Sequence, residues 1–598
     1  MDQLERGEVR CDFNPGSSQM LIYGDRSWES DVETLRSSIR RALRIVQDLP
    51  PGLGRHAALV NALIKAGELA QAVADAEFNK TGFDHPSGSR ALTIRLVRLL
   101  AADVALSWES KLAGELKNSH LEFRILNLVQ ECKQVLLPRK AEGFSYYAVY
   151  PEAYYEAARR SNLCRDSSVI GIRSIGASLA CMVAAALGTR RIETVRPCGT
   201  PFQRRIAASE SFARRIGVTD GKRMFAVVDE GPGLSGSSFA SVGEWLERFG
   251  VTNRQVHFFP SHSNDPGKHV APAQLQRWRT SQRHVCRFGG TILAPRDPAH
   301  CLASWVEDVI GPLEGPLIDM SAGGWREFAA GNGTLPCDAS LERRKYLALA
   351  SGERWLLKFA GLGEDGERKL HTGRLLARNG FIPEVIALCH GFLVQRWAEA
   401  ETLHTARVPN ERLLPRLTQY LSFRARLPAP GSGASLKQLV EMAWLNVSEA
   451  MGNRQADRLE IFFRRFGSVE GVKPRRVDTD GRLHPGEWLH LADGTLLKTD
   501  ALDHSSGHDI VGCQDIAWDI AGAAIEHELA ATQLKRLCRQ MEGVEIEREL
   551  VQLMMPCYIA HQLGSWTFAR ERASSSDKAA IDTLLRKYRA ALFAFLEG

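Results

Sequence analysis

The stretch Met224-Phe-Ala-Val-Val-Asp-Glu-Gly-Pro-Gly-Leu-Ser-Gly-Ser-Ser238 decides how the middle of this chain folds. Its first five residues suit a buried strand, which ends in two adjacent acids, Asp229 and Glu230. Glycines and hydroxyls follow, and an amphipathic helix opens near Phe239. Backbone N–H groups at such a loop and helix start can cradle a phosphate, and glycine lets the chain approach closely. Paired acids can hold ribose hydroxyls or a Mg²⁺. The order therefore predicts a phosphosugar site built from Asp229, Glu230, Gly233, Ser235, Gly236, Ser237 and Ser238.

The flanking sequence alternates strands and helices from about Gly143. Phe144–Tyr150 reads as a strand, Glu152–Arg160 as a helix opened by Pro151, and Ser167–Ile172 as a buried strand before a helix ending at Leu187. Ile192–Val195 and Gln255–Phe259 are further strands. Such alternation predicts a parallel α/β sheet, whose ligands sit at the carboxyl ends of strands. Three polar loops lie there: Arg173–Ser178, Arg196–Arg205 and Asp229–Ser238.

Other motifs overlap the same stretch. Gly231-Pro-Gly233-Leu-Ser-Gly236 also fits the dinucleotide fingerprint G-x-G-x-x-G. The two acids before its first glycine, and Pro232 without an N–H, weigh against that reading. Gly233-Leu-Ser235-Gly-Ser237 lacks the last glycine of a serine-hydrolase elbow. His257 and His262 form a metal-like pair with no third ligand nearby, which favours a structural or substrate-contact role.

Residues 1–30 are polar and irregular. Apolar residues at helical spacing predict helices over Val32–Leu49, His56–Phe78 and Ser89–Leu106, so residues 1–142 form a helical N-terminal region. Glu68 and Gln71 there either line a site or face solvent. A Pro/Gly-rich connection over 311–336 leads to a third region, 337–598. Its strands are Arg344–Leu349, Arg354–Ala360 and Gly391–Trp397, with a helix over Glu367–Asn379 and mostly helices beyond.

A net charge of +6 spread over 146 charged residues does not indicate nucleic acid as a partner. Twelve scattered cysteines without a C-x-x-C pair read as reduced thiols. With no signal-peptide pattern and no long apolar window, the expectation is a cytoplasmic chain with no membrane partner.

The stretch 227–238 resembles the diphosphate-ribose loop of type I phosphoribosyltransferases: apolar residues, two acids, variable residues, then a hydroxyl-Gly-x-hydroxyl turn. Here one extra residue precedes Ser235-Gly236, and Ser replaces the usual Thr. Ile172-Arg173-Ser174-Ile175-Gly176 falls where that family keeps its pyrophosphate loop. The resemblance covers about 143–310. It implies a transferase that displaces pyrophosphate from phosphoribosyl diphosphate with Mg²⁺. Asp229 and Glu230 would be catalytic, and Arg173, Ser174, Gly176 and Arg196 would join the loop in binding substrate. The acceptor is not readable.

The C-terminal region resembles the aminoglycoside phosphotransferase and choline kinase branch of the kinase-like fold. The matching segments are Arg354-Trp-Leu-Leu-Lys358, Asp480-Gly-Arg-Leu-His-Pro-Gly-Glu487, Leu496-Leu-Lys-Thr-Asp500 and Asp515-Ile-Ala-Trp-Asp519-Ile-Ala. The resemblance implies nucleotide contacts from Lys358, Glu367 and Asp480, metal ligation by Glu487 and Asp500, and ATP as a partner. Arg482 stands at the catalytic aspartate position and Glu487 at the metal-binding asparagine position. An arginine cannot accept the hydroxyl proton.

The expectation is thus a multidomain α/β protein: a helical N-terminal region, a parallel-sheet phosphoribosyltransferase-like domain and an α+β kinase-like domain. The alternatives are a non-catalytic nucleotide-sensing protein, or a small-molecule kinase acting through its C-terminal domain.

Overall fold

The computed structural model describes residues 28–116, 119–129, 135–200, 202–233, 235–267, 270–328, 335–339, 341–406, 408–464, 474–505 and 510–597. Residues 1–27, read above as irregular, lie outside these.

Three helices open the chain: α1 (Val32–Asp48), α2 (Leu53–Thr81) and α3 (Gly88–Glu109). Asp31 caps α1, its carboxylate accepting from Thr34 N at 2.7 Å. Leu35, Ile39, Leu43 and Val46 of α1 are buried on one face. By length and composition α2 could cross a membrane, but 67% of its most apolar window is buried inside the protein.

A parallel sheet follows. Its parts are α4 (Pro151–Arg159), β1 (Ser168–Ile172), α5 (Gly176–Leu187), β2 (Ile192–Val195), β3 (Phe225–Val228), α6 (Ser237–Glu247), β4 (Val256–Phe259) and β5 (Gln282–Arg283). The spatial order is β2-β1-β3-β4-β5, every neighbouring pair parallel. Side chains alternate between two cores. Val169, Ala226, Val228 and Phe259 join the core shared with the N-terminal helices. Ile170, Ile172, Phe225, Val227 and Phe258 form the core on the opposite face. Such strands, buried on both faces, read as continuous apolar runs.

Phe144–Tyr150, expected as a strand, is instead a short helix over Glu142–Tyr146 followed by an extended segment. Phe144, Tyr146 and Tyr150 are buried between regions rather than paired in the sheet, while Tyr147 is exposed, so strand-like composition here reported mainly burial.

The C-terminal region starts inside the Pro/Gly-rich connection. Its antiparallel sheet comprises β6 (Ile318–Asp319), β7 (Lys345–Ala350), β8 (Glu353–Phe359), β9 (Val385–Cys389) and β10 (Phe392–Arg396), with α7 (Glu364–Arg378) between β8 and β9. The order is β9-β10-β8-β7-β6. A small sheet of β11 (Glu401–Thr402), β12 (Trp488–His490) and β13 (Leu496–Lys498) faces it across a cleft, backed by helices including α8 (Ala517–Glu526) and α9 (Arg548–Arg572). One apolar core runs from α1–α3 through the parallel sheet to Tyr346, Leu357, Phe359 and Phe392, and the C-terminal helices pack around another. Each fully buried Leu, Ile or Val in them contributes about 1.5–3 kcal/mol.

Candidate functional site

Two sets of loops bring polar groups together. The first lies at the carboxyl ends of β1 and β3. The chain leaves β1 toward β2 on one side and returns to β3 on the other, so a crevice opens between their ends. The loops after β1 and β3 meet here: a Cβ on Gly176 would fall 2.8 Å from Val228 O. Gly236 adopts φ +62° as it hands the loop to α6, a conformation glycine holds without strain. Ser235 and Ser237 hydroxyls lie 2.9 Å apart, and Arg204 donates to Ser238 Oγ at 2.5 Å.

Asp229 Oδ1 accepts from Glu230 N at 2.9 Å, and Tyr154 donates to Asp229 O at 2.9 Å. Burial pushes the Asp229 carboxyl up to about 7, against the pull of the Glu230 N–H, Arg204 and Arg196. A buried carboxyl pushed toward its neutral form can hydrogen-bond a hydroxyl.

Arg173 and Arg196 depart from their expected role. The Arg173 guanidinium is completely enclosed. Nε lies 2.8 Å from Asp75 of α2, and another nitrogen lies 2.8 Å from Asp84. Arg196 pairs with the same Asp75, its backbone N donates to Asp84 at 2.9 Å, and its guanidinium donates to Arg173 O at 2.7 Å. These two cations tie the N-terminal helices to the sheet instead of facing an incoming pyrophosphate. The peptide between Arg173 and Ser174 is cis. Gln71 is buried, its carbonyl accepting from Arg139 N at 2.8 Å. Burial pushes the Glu68 carboxyl up to about 7. His257 pairs with His284 at 2.9 Å rather than with His262.

The second set lines a cavity of about 330 Å³ in the C-terminal cleft, including Lys358, Trp397, Glu487, Asp500, Asp503 and Trp566. Lys358 sits late on β8 with its ammonium on Asp500 and Asp503. Asp503 also receives Lys369 Nζ at 2.5 Å, with Arg343 Nε at 3.7 Å. Burial pushes Asp503 up, but Lys358, Lys369 and Arg343 overcome it and hold it well below the usual range. Burial pushes Lys369 down to about 8. Glu367 lies on the exposed face of α7, and Lys369 of the same helix reaches the cluster instead.

The loop Asp480–Glu487 crosses the cleft floor. Asp519, in the first turn of α8, accepts from Asp480 N at 2.7 Å and Gly481 N at 2.8 Å. It thus holds the loop backbone, at the cost of a carboxyl that burial pushes up to about 7. His484 Nδ1 accepts from Gly486 N at 3.0 Å, which tightens the Pro485–Glu487 turn.

Glu487 is the centre of the floor. Lys498 Nζ lies 2.8 Å from its Oε2, and Arg482 Nε lies 3.0 Å from its Oε1. Lys498 is fully buried and also lies 3.5 Å from Asp480 Oδ1. Asp480, Glu487 and His504 present ligand atoms within 4.8 Å of one another. An ammonium already stands against two of the three, so this donor set does not suit Mg²⁺. The other expected ligand, Asp500, is spent on Lys358 and adopts φ +57°, a left-handed conformation that costs a non-glycine residue about 1–2 kcal/mol. The expected nucleotide contact Asp480 is enclosed behind the floor, accepting from Tyr420.

Lys498, Asp503 and Lys369 escaped the sequence reading. The available signal was a lysine inside the apolar run Leu496-Leu497-Lys498, at odds with a small buried strand.

No protein-family model and no curated protein matches the chain. Among solved structures it is similar to the choline kinase LicA of Streptococcus pneumoniae at 16% identity, over 41% of this chain and 89% of that one, with a TM-score of 0.29. It is similar to a choline/ethanolamine kinase family protein of Mesorhizobium loti at 16% identity, over 48% and 94%, with a TM-score of 0.32. A spectinomycin phosphotransferase solved with ADP and spectinomycin shows 12% identity over 50% and 92%, with a TM-score of 0.31. The likeness spans about half the chain or less, and the chemistry of the cleft rests on its own side chains.

Proposed function

We propose that the C-terminal cleft binds a nucleoside phosphate without a divalent metal, and that the chain is a nucleotide-responsive protein rather than a magnesium-dependent kinase. The observation that carries this reading is the Lys498 ammonium between Glu487 and Asp480, with Arg482 beside it. Mg²⁺ normally neutralises phosphate oxygens and holds them on carboxylates. Here fixed cations occupy the acids, and no carboxylate stands at position 482 to accept a proton. Lys358 and Lys369, on the opposite wall, can exchange Asp500 and Asp503 for a phosphate. The cavity is of a size that suits a small ligand, and Trp397 and Trp566 in its lining offer faces for a flat ring.

Calorimetric titration of ATP and ADP, with Mg²⁺ and with EDTA, tests this reading. Equal affinity in both buffers, with no ATP turnover, is the expected result. Binding that requires Mg²⁺ would reverse it.

A second reading is favoured by the switch-point crevice: Asp229, Glu230 and the 233–238 turn bind phosphoribosyl diphosphate and support transfer at the sugar C1. The acids would hold ribose hydroxyls, and the α6 N-terminus would take the 5-phosphate. Arg204, already at Ser238, takes this role in place of Arg173. Titration of phosphoribosyl diphosphate against wild type and Asp229→Asn distinguishes it. Affinity of the wild type alone supports a site, and silence of both removes it.

A further inference from the structure

Glu152, in the first turn of α4, is completely enclosed, and two imidazoles converge on one of its oxygens. His56 Nε2 lies 2.8 Å and His390 Nε2 3.0 Å from Oε1. The three residues come from three regions: His56 from the start of α2, Glu152 from the helix before the parallel sheet, and His390 from the β9–β10 turn. None exceeds 3% exposure. The other carboxylate oxygen, Oε2, is buried without a hydrogen-bond partner.

A bare carboxylate oxygen in a dry core is costly unless something charged meets it.

The donor set itself offers a remedy. Two Nε2 atoms and a carboxylate oxygen lie within 4.8 Å of one another. Two histidines and a carboxylate are a set that zinc takes, at about 2.0–2.2 Å from each ligand atom. For His56 the surroundings provide the outer hydrogen bond such a ligand needs. His56 Nδ1 lies 3.0 Å from Ser107 Oγ, which can fix the tautomer that turns the Nε2 lone pair inward. Tyr150 donates to His390 O at 2.7 Å, which holds a residue at φ +40° that would otherwise be strained. The Asp480–Glu487–His504 group differs, because Lys498 already neutralises it.

We propose that His56, Glu152 and His390 form a transition-metal site, with zinc the best match, that staples the N-terminal helices, the parallel-sheet region and the C-terminal region at one point. Each imidazole binds as the neutral Nδ1–H tautomer and the carboxylate as the anion. All three residues are buried, so metal enters as the chain folds.

The test uses the full chain produced in zinc-supplemented medium and dialysed against metal-free buffer. Elemental analysis is expected to find close to stoichiometric zinc, and refolding with Co²⁺ to give the visible bands of a tetrahedral site. His390→Gln and Glu152→Gln are expected to lose both signals, and Glu487→Gln to keep them. If a variant fails to fold, the wild type still decides: refolding with a chelator must lower its thermal midpoint. Wild type free of zinc with a midpoint indifferent to chelator overturns the proposal. So does zinc that persists in folded His390→Gln, and the cluster is then a hydrogen-bonded His–Glu–His group only.

Discussion

Lys498 Nζ lies 2.8 Å from Glu487 Oε2, with the lysine fully buried and the glutamate at the edge of the cavity. A positive charge is thus built into the chain on the cleft floor. Removing the ammonium leaves Asp480 and Glu487 as buried acids facing His504, a group that invites a cation. Lys498→Ala is expected to gain a Mg²⁺- or Mn²⁺-dependent rise in thermal midpoint that the wild type lacks. Scanning fluorimetry across a metal titration reads it, and equal behaviour of the two proteins would count against the fixed-cation account.

Lys358 bridges Asp500 and Asp503. An entering phosphate must displace those acids, so Lys358→Ala is expected to weaken nucleotide binding about tenfold, equivalent to about 1.4 kcal/mol. Asp500→Asn, which frees the lysine, is expected to tighten it. Calorimetry in EDTA checks both, and the opposite order would reassign Lys358 to a purely structural pair.

Asp75 serves two arginines at once. Its replacement by alanine leaves the enclosed Arg173 with Asp84 alone and Arg196 without its carboxylate. Breaking a buried pair in this way costs about 3–5 kcal/mol. Urea unfolding is expected to show a lower midpoint for Asp75→Ala, whereas Asp75→Asn, which keeps acceptor geometry, loses less.

Glu122 is buried beside Asp103, and burial together with that neighbouring charge raises its carboxyl to about 8. The folded protein therefore holds a proton that the unfolded chain releases near pH 4.5. Its contribution is complete below pH 4.5 and is lost as pH rises toward 8, at up to about 1.4 kcal/mol per pH unit. Glu122→Gln is expected to flatten stability against pH over that window and to be the more stable protein at pH 8. Parallel slopes for the two proteins would show that Glu122 is ionised in the fold.

Strand runs, loop positions and the β-hairpin carrying Lys358 were legible because apolar periodicity and turn residues report local structure directly. Ser168–Ile172, Phe225–Val228 and Glu353–Phe359 all appear where the sequence pattern puts them. Pairing across long sequence separations was not legible. Arg173 looked like an anion ligand because its loop was visible and its partners, Asp75 and Asp84, were roughly ninety residues earlier. Lys498 and Glu487 were each visible as residues, but only the β12–β13 hairpin makes them neighbours. His56, Glu152 and His390 carry no spacing signature, since three distant segments supply one residue each.

Helix α2 has 29 residues and spans about 43 Å. In its N-terminal half Asn61 Oδ1 accepts from Glu364 N at 3.1 Å and Lys65 reaches Glu364, fastening α7, the helix that carries Lys369 into the cleft. Four turns later Asp75 grips Arg173 and Arg196 beside the sheet crevice. A helix bends little, so the two clefts share a common axle.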